Sequence, residues 1–516
     1  MERNSISYEA ADEIAVVLSH TKLHELYLGG NNLQTAGATK IARALQNTTT
    51  LTTLDMQNNN ISYEAANDIA TVLSRNSKLQ KFYLGGNNLQ TSGAIKIARA
   101  LQNNVTLVIF DMENNNISDE AADDIAVVLS HNVKLQNVHL GRNNLCSTGV
   151  IKIVQALHSV TTLTSFSIGA NNVSDEAADD IATVLYHNTK LQQLNLSKSN
   201  LQIESVTIIA KALQNMTALT VLNMKNNNIS DEGADDIAAV LSHNTKLQWL
   251  GLGDNNLQSA GAIKIAKALQ SIITLTVFHM ENNNISDEAA DDLASVLSSN
   301  GRLQQLYLSG NNLQSVGTIK ITKALQDTTT LEIFDLESNN ISDEAADDIA
   351  AVIFHNTKLQ ELYLGGNNLQ TAGAIKIASA LLTASTVVLL DISNNNISDE
   401  AADSIVAVLC HNSDIQEIYL DGNNFQSTGA LRIARALKSI ATLTKFSMKN
   451  NNIGGEAVDD IAAILANNIN LKELDLGGNQ SVDGIETIED LQSTTSNNTS
   501  SDEETDYATK IYLQLI

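Results

Sequence analysis

The stretch Leu359-Gln-Glu-Leu-Tyr-Leu-Gly-Gly-Asn-Asn-Leu369 decides the fold of this chain. It reads L-x-x-L-x-L-x-x-N-x-L, with Leu362 and Leu364 alternating as one side of a short strand would. The chain then turns at an asparagine and enters a helical stretch, Gly373-Ala-Ile-Lys-Ile-Ala-Ser-Ala-Leu-Leu382. A strand so short is not stable alone, so each copy needs neighbours on which to stack.

Working outward, the first leucine recurs at Leu23, Leu79, Leu135, Leu191, Leu247, Leu303, Leu359, Ile415 and Leu471, in steps of 56 residues. A second series lies midway, at Leu51, Leu107, Leu163, Leu219, Leu275, Leu331, Val387 and Leu443. Together they make 17 units of 28 residues with no insertion or deletion between them. Units of the first type read like residues 85–101, Gly-Gly-Asn-Asn-Leu-Gln-Thr-Ser-Gly-Ala-Ile-Lys-Ile-Ala-Arg-Ala-Leu. Those of the second read like residues 114–129, Asn-Asn-Asn-Ile-Ser-Asp-Glu-Ala-Ala-Asp-Asp-Ile-Ala-Val-Val-Leu.

Local chemistry differs between the two. In the second type Ser118, Ser230 and Ser286 precede Asp-Glu, which predicts an N-cap followed by acids at the positive helix end. In the first, Thr91, Ser147 and Thr371 are the expected N-caps. Ile95, Ala98 and Leu101 line one helical face, with Lys96 and Arg99 outside it. Acidic and basic helices therefore alternate, and weak ion pairs such as Lys96 toward Asp123 or Asp124 are expected across them.

Stacked strands sit about 4.8 Å apart, whereas packed helices need about 8–10 Å. That mismatch predicts roughly 20° of bend per unit. The expected fold class is α/β: a right-handed solenoid, a horseshoe with a concave parallel β-sheet and convex helices. An asparagine nine places into each unit has an amide that can satisfy backbone groups where the chain leaves the strand. The expected ladder comprises Asn59, Asn87, Asn115, Asn143, Asn171, Asn227, Asn255, Asn283, Asn311, Asn339, Asn367, Asn395, Asn423 and Asn451. Ser199 interrupts it, and Glu204-Ser-Val replaces Ala-Gly-Ala in the same unit, so 197–206 is the irregular spot.

Three segments follow. Residues 1–22 match the helical half of a second-type unit, as a helical cap or a truncated unit of a longer protein. Residues 23–488 are the array. Residues 489–516 read as an acidic, Ser/Thr-rich disordered tail, whose apolar end (507–516) docks on the last unit or meets a partner.

Aromatic residues make up 4% of the chain, so the core must be built from Leu, Ile, Val and Ala. Net charge is -27, which repels nucleic acid and anionic membranes and favours basic or neutral protein partners. Cys146 and Cys410 form no framework of paired spacings. The start is polar and acidic rather than a secretory signal, and no apolar run approaches the ~20 residues of a membrane span. Asn-x-Ser sequons recur with the repeat, and glycans on all of them would crowd one rim. A cytoplasmic location is the expectation.

Catalytic patterns are absent from the sequence, and no enzyme activity, cofactor or metal is expected. There is no Cys-x-x-Cys, Gly-x-Ser-x-Gly or G-x-x-x-x-G-K-[ST]. His20, His131, His187, His243, His355 and His411 recur at helix ends, where the helix dipole suits them. Binding is the better prospect. Positions three and five of L-x-x-L-x-L point away from the core. From Tyr307 to Tyr419 position five runs Tyr307, Asp335, Tyr363, Asp391, Tyr419, with Glu361 and Glu417 at position three. His279 holds position five and Trp249 position three further back. Tyr and Trp bury large area at low entropy cost, which makes this row the expected protein-binding site.

The 28-residue unit, its two alternating types and the L-x-x-L-x-L-x-x-N-x-L core resemble the ribonuclease-inhibitor subclass of leucine-rich repeats, over roughly residues 1–488. Gly-Asn-Asn-Leu-x-x-x-Gly-Ala followed by Ile-Ala-x-Ala-Leu is most similar to the sensor arrays of NOD-like receptors. That resemblance implies a leucine-rich repeat solenoid and a non-catalytic interaction scaffold with an innate-immune or regulatory role. Two alternatives come with it: an inhibitor of a basic enzyme, and a GTPase activator of the Ran type.

Overall fold

The computed structural model describes residues 3–382, 386–412, 414–438, 440, 442–465, 470–480 and 510–512. A three-residue strand, an asparagine turn and a helix of 9 to 14 residues alternate along it. The chain divides into two compact units, Met1–Leu257 with Lys267–Leu275, and Gln258–Ala266 with Thr276–Ile516. In the first unit, strands run from Glu25–Tyr27 to Trp249–Gly251; in the second, from Val277–His279 to Glu473–Asp475. Within each unit neighbouring strands are parallel and unshifted, so residue n faces residue n + 28, as Tyr307 faces Asp335 and Asp335 faces Tyr363. This is the α/β repeat solenoid that the leucine spacing predicts. The expected tail, 489–516, lies outside the described residues except for Lys510–Tyr512, which adds in parallel beside Glu473–Asp475.

Positions one, four and six of each strand bury their side chains, as Leu359, Leu362 and Leu364 do completely. Each such burial contributes about 1.5–3 kcal/mol. Six of the eight phenylalanines stand at position four: Phe82, Phe110, Phe166, Phe278, Phe334 and Phe446 are all fully buried. From the helices, Ile97, Ala98 and Leu101 close the core. Position 95 is correspondingly half-buried, so the inward stripe starts at Ala94 and Ile97.

Asparagine holds the turns. Asn143 Nδ2 donates to Met112 O (3.1 Å) and Leu140 O (3.0 Å), while its Oδ1 accepts Asn115 N and Ile117 N at 3.0 Å each. Each amide thus ties its own unit to the one before. A second buried ladder went unread in the sequence, although Asn follows nearly every second-type helix. Asn132 Nδ2 donates to Val128 O and Asn104 O, and its Oδ1 accepts Leu107 N at 2.8 Å.

Ser199 shows what the amide does. Its hydroxyl reaches only Ser197 O, at 3.4 Å. Lacking an acceptor from the next unit, Val173 N turns to Asn171 O at 3.0 Å. Ser174 adopts a φ of +47°, whereas Ser118, Ser286, Ser342 and Ser398 lie between -104° and -92°. Those four bridge to the next unit's asparagine, and Ser174 does not.

Two expectations need correction. Thr91 and Thr371 lie inside helices Gln90–Leu101 and Gln370–Leu381, and accept Ser118 N and Ser398 N of the following unit at 3.0 Å. The chain enters through Gln90 and Gln370 at φ of +56° and +55°, which aims those hydroxyls away from their own first turn. Ser147 opens its helix, and there Asp119 of the preceding unit accepts Cys146 N at 2.7 Å. Asp399 likewise accepts Gln426 N (2.7 Å) and Gly429 N (3.0 Å). In the second type, Ser286 caps the turn Asp287–Ala289 by accepting Glu288 N at 3.4 Å. The second correction concerns ion pairs. Lysines reach back 29 residues, as Lys152 to Asp123 and Lys376 to Asp347 (both 2.8 Å), and Arg99 reaches forward to Asp124 (3.0 Å). Counted back 29 places, Lys96 meets Asn67, where the later second-type units carry aspartate, and it makes no such pair.

Candidate protein-binding face

The row read from the sequence lies on the sheet face turned away from the helices. In the second unit the register is Tyr307↔Asp335↔Tyr363↔Asp391↔Tyr419, one residue per strand. All five are half-buried. Glu361 and Glu417, two residues before their tyrosines, accept the phenol protons: Tyr363 Oη donates to Glu361 Oε2 at 2.8 Å and Tyr419 Oη to Glu417 Oε2 at 2.7 Å. At one end His279 stacks on Tyr307, with ring centroids 4.1 Å apart and planes 3° from parallel. Its Nδ1 lies 3.3 Å from Glu281.

Space for the aspartates comes from the residue seven places into the neighbouring unit. A Cβ on Gly365 would lie 3.1 Å from Asp391 Oδ1 and 2.9 Å from Ser393 Oγ. At the equivalent place Ser309 donates its hydroxyl to Asp335 Oδ2 at 2.7 Å. Backbone N–H groups meet each carboxylate, Glu337 N on Asp335 (3.0 Å) and Ser393 N on Asp391 (2.9 Å).

Electrostatics make the row unusual. Burial pushes the Asp335 carboxyl above its ordinary range, against the bonds from Ser309 and Glu337 N, and Glu281 and Asp391 push the same way. Glu337 is also raised, by burial first and then by Asp391 and Asp335. Burial lifts the Tyr307 phenol to about 12, with Glu361, Asp335 and Glu281 adding to it. Tyr363 and Tyr419 are raised too, by burial and then by the hydrogen bonds to Glu361 and Glu417. Among the described residues no lysine or arginine pairs with Asp335, Asp391, Glu361 or Glu337. Past Tyr419 cations do join the face: Lys445 lies 3.7 Å from Glu417 and 3.8 Å from Glu473, and Lys449 lies 2.9 Å from Asp475.

The remaining expected site residue is Trp249. Trp249 belongs to the first unit, where its ring folds over Gly251; a Cβ there would lie 2.5 Å from Trp249 Cη2. A shorter row in that unit, Tyr27↔Asp55↔Tyr83↔Asp111, ends at His139, whose Nδ1 is 3.7 Å from Asp111. Arg142 sits 3.7 Å from Glu113 there, so the first row is partly neutralised from within. Sequence reasoning missed Glu281, Glu337 and Ser309, which lie one turn beyond the strands. An acid two places after position five, as in Asp335-Leu-Glu337, is the signal that marks them.

The histidines at helix ends do structural work. Nδ1 of His243, His355 and His411 lies 2.7–2.8 Å from the carbonyl oxygens of Ala239, Ala351 and Ala407. No group of His, Cys, Asp and Glu among the described residues has a metal-holding arrangement. No helix among them is long and apolar enough to cross a membrane.

Comparison with known families agrees with the architecture. The family described as Leucine Rich repeat matches residues 19–42, 47–70, 75–98, 103–126, 215–238, 243–266, 272–294, 328–350, 355–378, 383–406 and 467–484. The chain is a leucine-rich repeat protein, and such repeats suggest a protein-interaction scaffold. No curated protein matches it significantly.

Proposed function

We propose that this chain holds a basic segment of another protein on the sheet face of its second unit, through Tyr307, Tyr363, Tyr419, Asp335 and Asp391. The observation that carries this reading is a file of half-buried carboxylates, flanked by tyrosines, in which Asp335 and Asp391 pair with no lysine or arginine among the described residues. A guanidinium or ammonium group would relieve the burial that raises Asp335, and stack on the phenol faces beside it. The likeness to the sensor arrays of NOD-like receptors supports a sensing or regulatory role for that contact. Replacing the three tyrosines by alanine should weaken the partner at least about 100-fold, as expected for aromatic anchors, with the unfolding transition kept. Unchanged affinity would discard the site. Inhibition of a basic enzyme would use the same face, and loss of the captured partner's own activity on binding would favour that reading.

A further inference from the structure

The row also constrains the shape of what it binds. We infer that the occupant is an α-helix lying across the strands, with basic and apolar side chains on alternate turns of one face. This rests on the binding site proposed above. Tyrosine and aspartate alternate from Tyr307 to Tyr419 with no register shift, so the chemistry changes once per strand. One strand step is about 4.8 Å, and one helical turn rises about 5.4 Å. Seven residues of helix rise about 10.5 Å, against about 9.6 Å between Asp335 and Asp391 two strands apart. The mismatch is about 1 Å over that span, within reach of a flexible arginine or lysine stem.

An extended segment fits worse. Its same-face side chains recur every ~6.7 Å, so it drifts by about 2 Å at each strand and falls out of phase within two. A helix instead sets a cation over Asp335, an apolar residue against Tyr363 three or four places on, and a second cation over Asp391. Both ends of the row agree with this length. Beyond Tyr419, Lys445 would repel a further cation, and before Tyr307 the stacked His279 ring stands where the alternation calls for another aspartate.

The test uses a fluorescent alanine-rich peptide of about three heptads, with arginine at every seventh position and leucine midway between. A second peptide has the same composition, permuted so that arginine and leucine no longer share a face. Anisotropy titrations at physiological salt should show the first binding at least tenfold tighter than the second. That preference should vanish in the Tyr307→Ala/Tyr363→Ala/Tyr419→Ala and Asp335→Asn/Asp391→Asn variants. Equal affinity of the two peptides, or failure of both to bind, overturns the helix. The row is judged separately: if the seam peptide is preferred and every variant retains that preference, the site itself is wrong.

Discussion

Ser199→Asn should stabilise the protein, because it restores the one missing rung of the buried amide ladder. Asn143 at the equivalent place makes two bonds to carbonyls and accepts two backbone N–H groups. The counterparts around residue 199 are Ile168 O, Leu196 O, Asn171 N and Val173 N. Ser199 provides none of these, and its single 3.4 Å bond would be lost. Four hydrogen bonds are gained and two given up, Ser199 to Ser197 O and Val173 N to Asn171 O, and the surplus of two at a net ~0.5–1.5 kcal/mol each gives about 1–3 kcal/mol. Ordering the longer side chain takes back ~1 kcal/mol, while Ser174 leaves a left-handed conformation costing ~1 kcal/mol or more. A net gain of about 1–3 kcal/mol remains. Urea unfolding would read it as a higher midpoint at unchanged slope. Native-state hydrogen exchange should show the Asn171 and Val173 amides becoming protected. An unchanged or lowered midpoint, with those two amides exchanging as before, would refute the account of the ladder.

Other expectations follow from the same contacts. Asn339→Ala should cost about 2–4 kcal/mol, since it strands Leu313 N in the core and leaves Leu308 O with Asn311 Nδ2 alone, and a loss below 1 kcal/mol in urea would contradict that. Gly366 sits at φ +66°, where an added Cβ would lie 2.5 Å from Ser338 Oγ, so its change to alanine should cost about 1–2 kcal/mol. The Tyr307 phenol holds its proton to about 12 when folded and to about 10 when unfolded. Its contribution is therefore whole below pH ~10 and lost as pH rises toward 12; Tyr307→Phe should flatten that alkaline fall in urea midpoints, and an identical fall would exclude it. Asp335 is raised in the folded state, so its contribution is present at acid pH and fades as pH rises through its folded value. Asp335→Asn should accordingly raise the midpoint at pH 7 more than at pH 4, and the reverse order would overturn the assignment.

Much of this was legible in the sequence because a 28-residue period leaves one way to stack the leucines. The strand register, the buried positions and the Tyr–Asp row all follow from that period alone. What escaped was anything settled between units rather than within them. Thr91 looks like a cap in its own sequence, yet serves Ser118 of the next unit, because Gln90 turns the backbone left-handed just before it. Lys96 fails as an ion-pair donor because its partner lies 29 residues back, where the sequence happens to read Asn67. Glu281 and Glu337 join the row from outside the strands, where a pattern built on alternation does not look.

The capping of the first-type helices that open at Ser147 and Ser427 by the units before them has a practical consequence. Asp119 and Asp399 belong to second-type units yet complete the helices that follow them, and Lys152 and Arg432 bind back to Asp123 and Asp403 of those same second-type units. Second-type helices also pack more extensively on the first-type helix after them than on the one before. The natural building block is therefore a 56-residue pair opening with the second-type helix, not the 28-residue motif visible in the text of the sequence. Shortening, lengthening or shuffling the array should succeed when cuts fall between pairs. A cut within a pair would remove a helix start from its only carboxylate and expose the broader of the two seams.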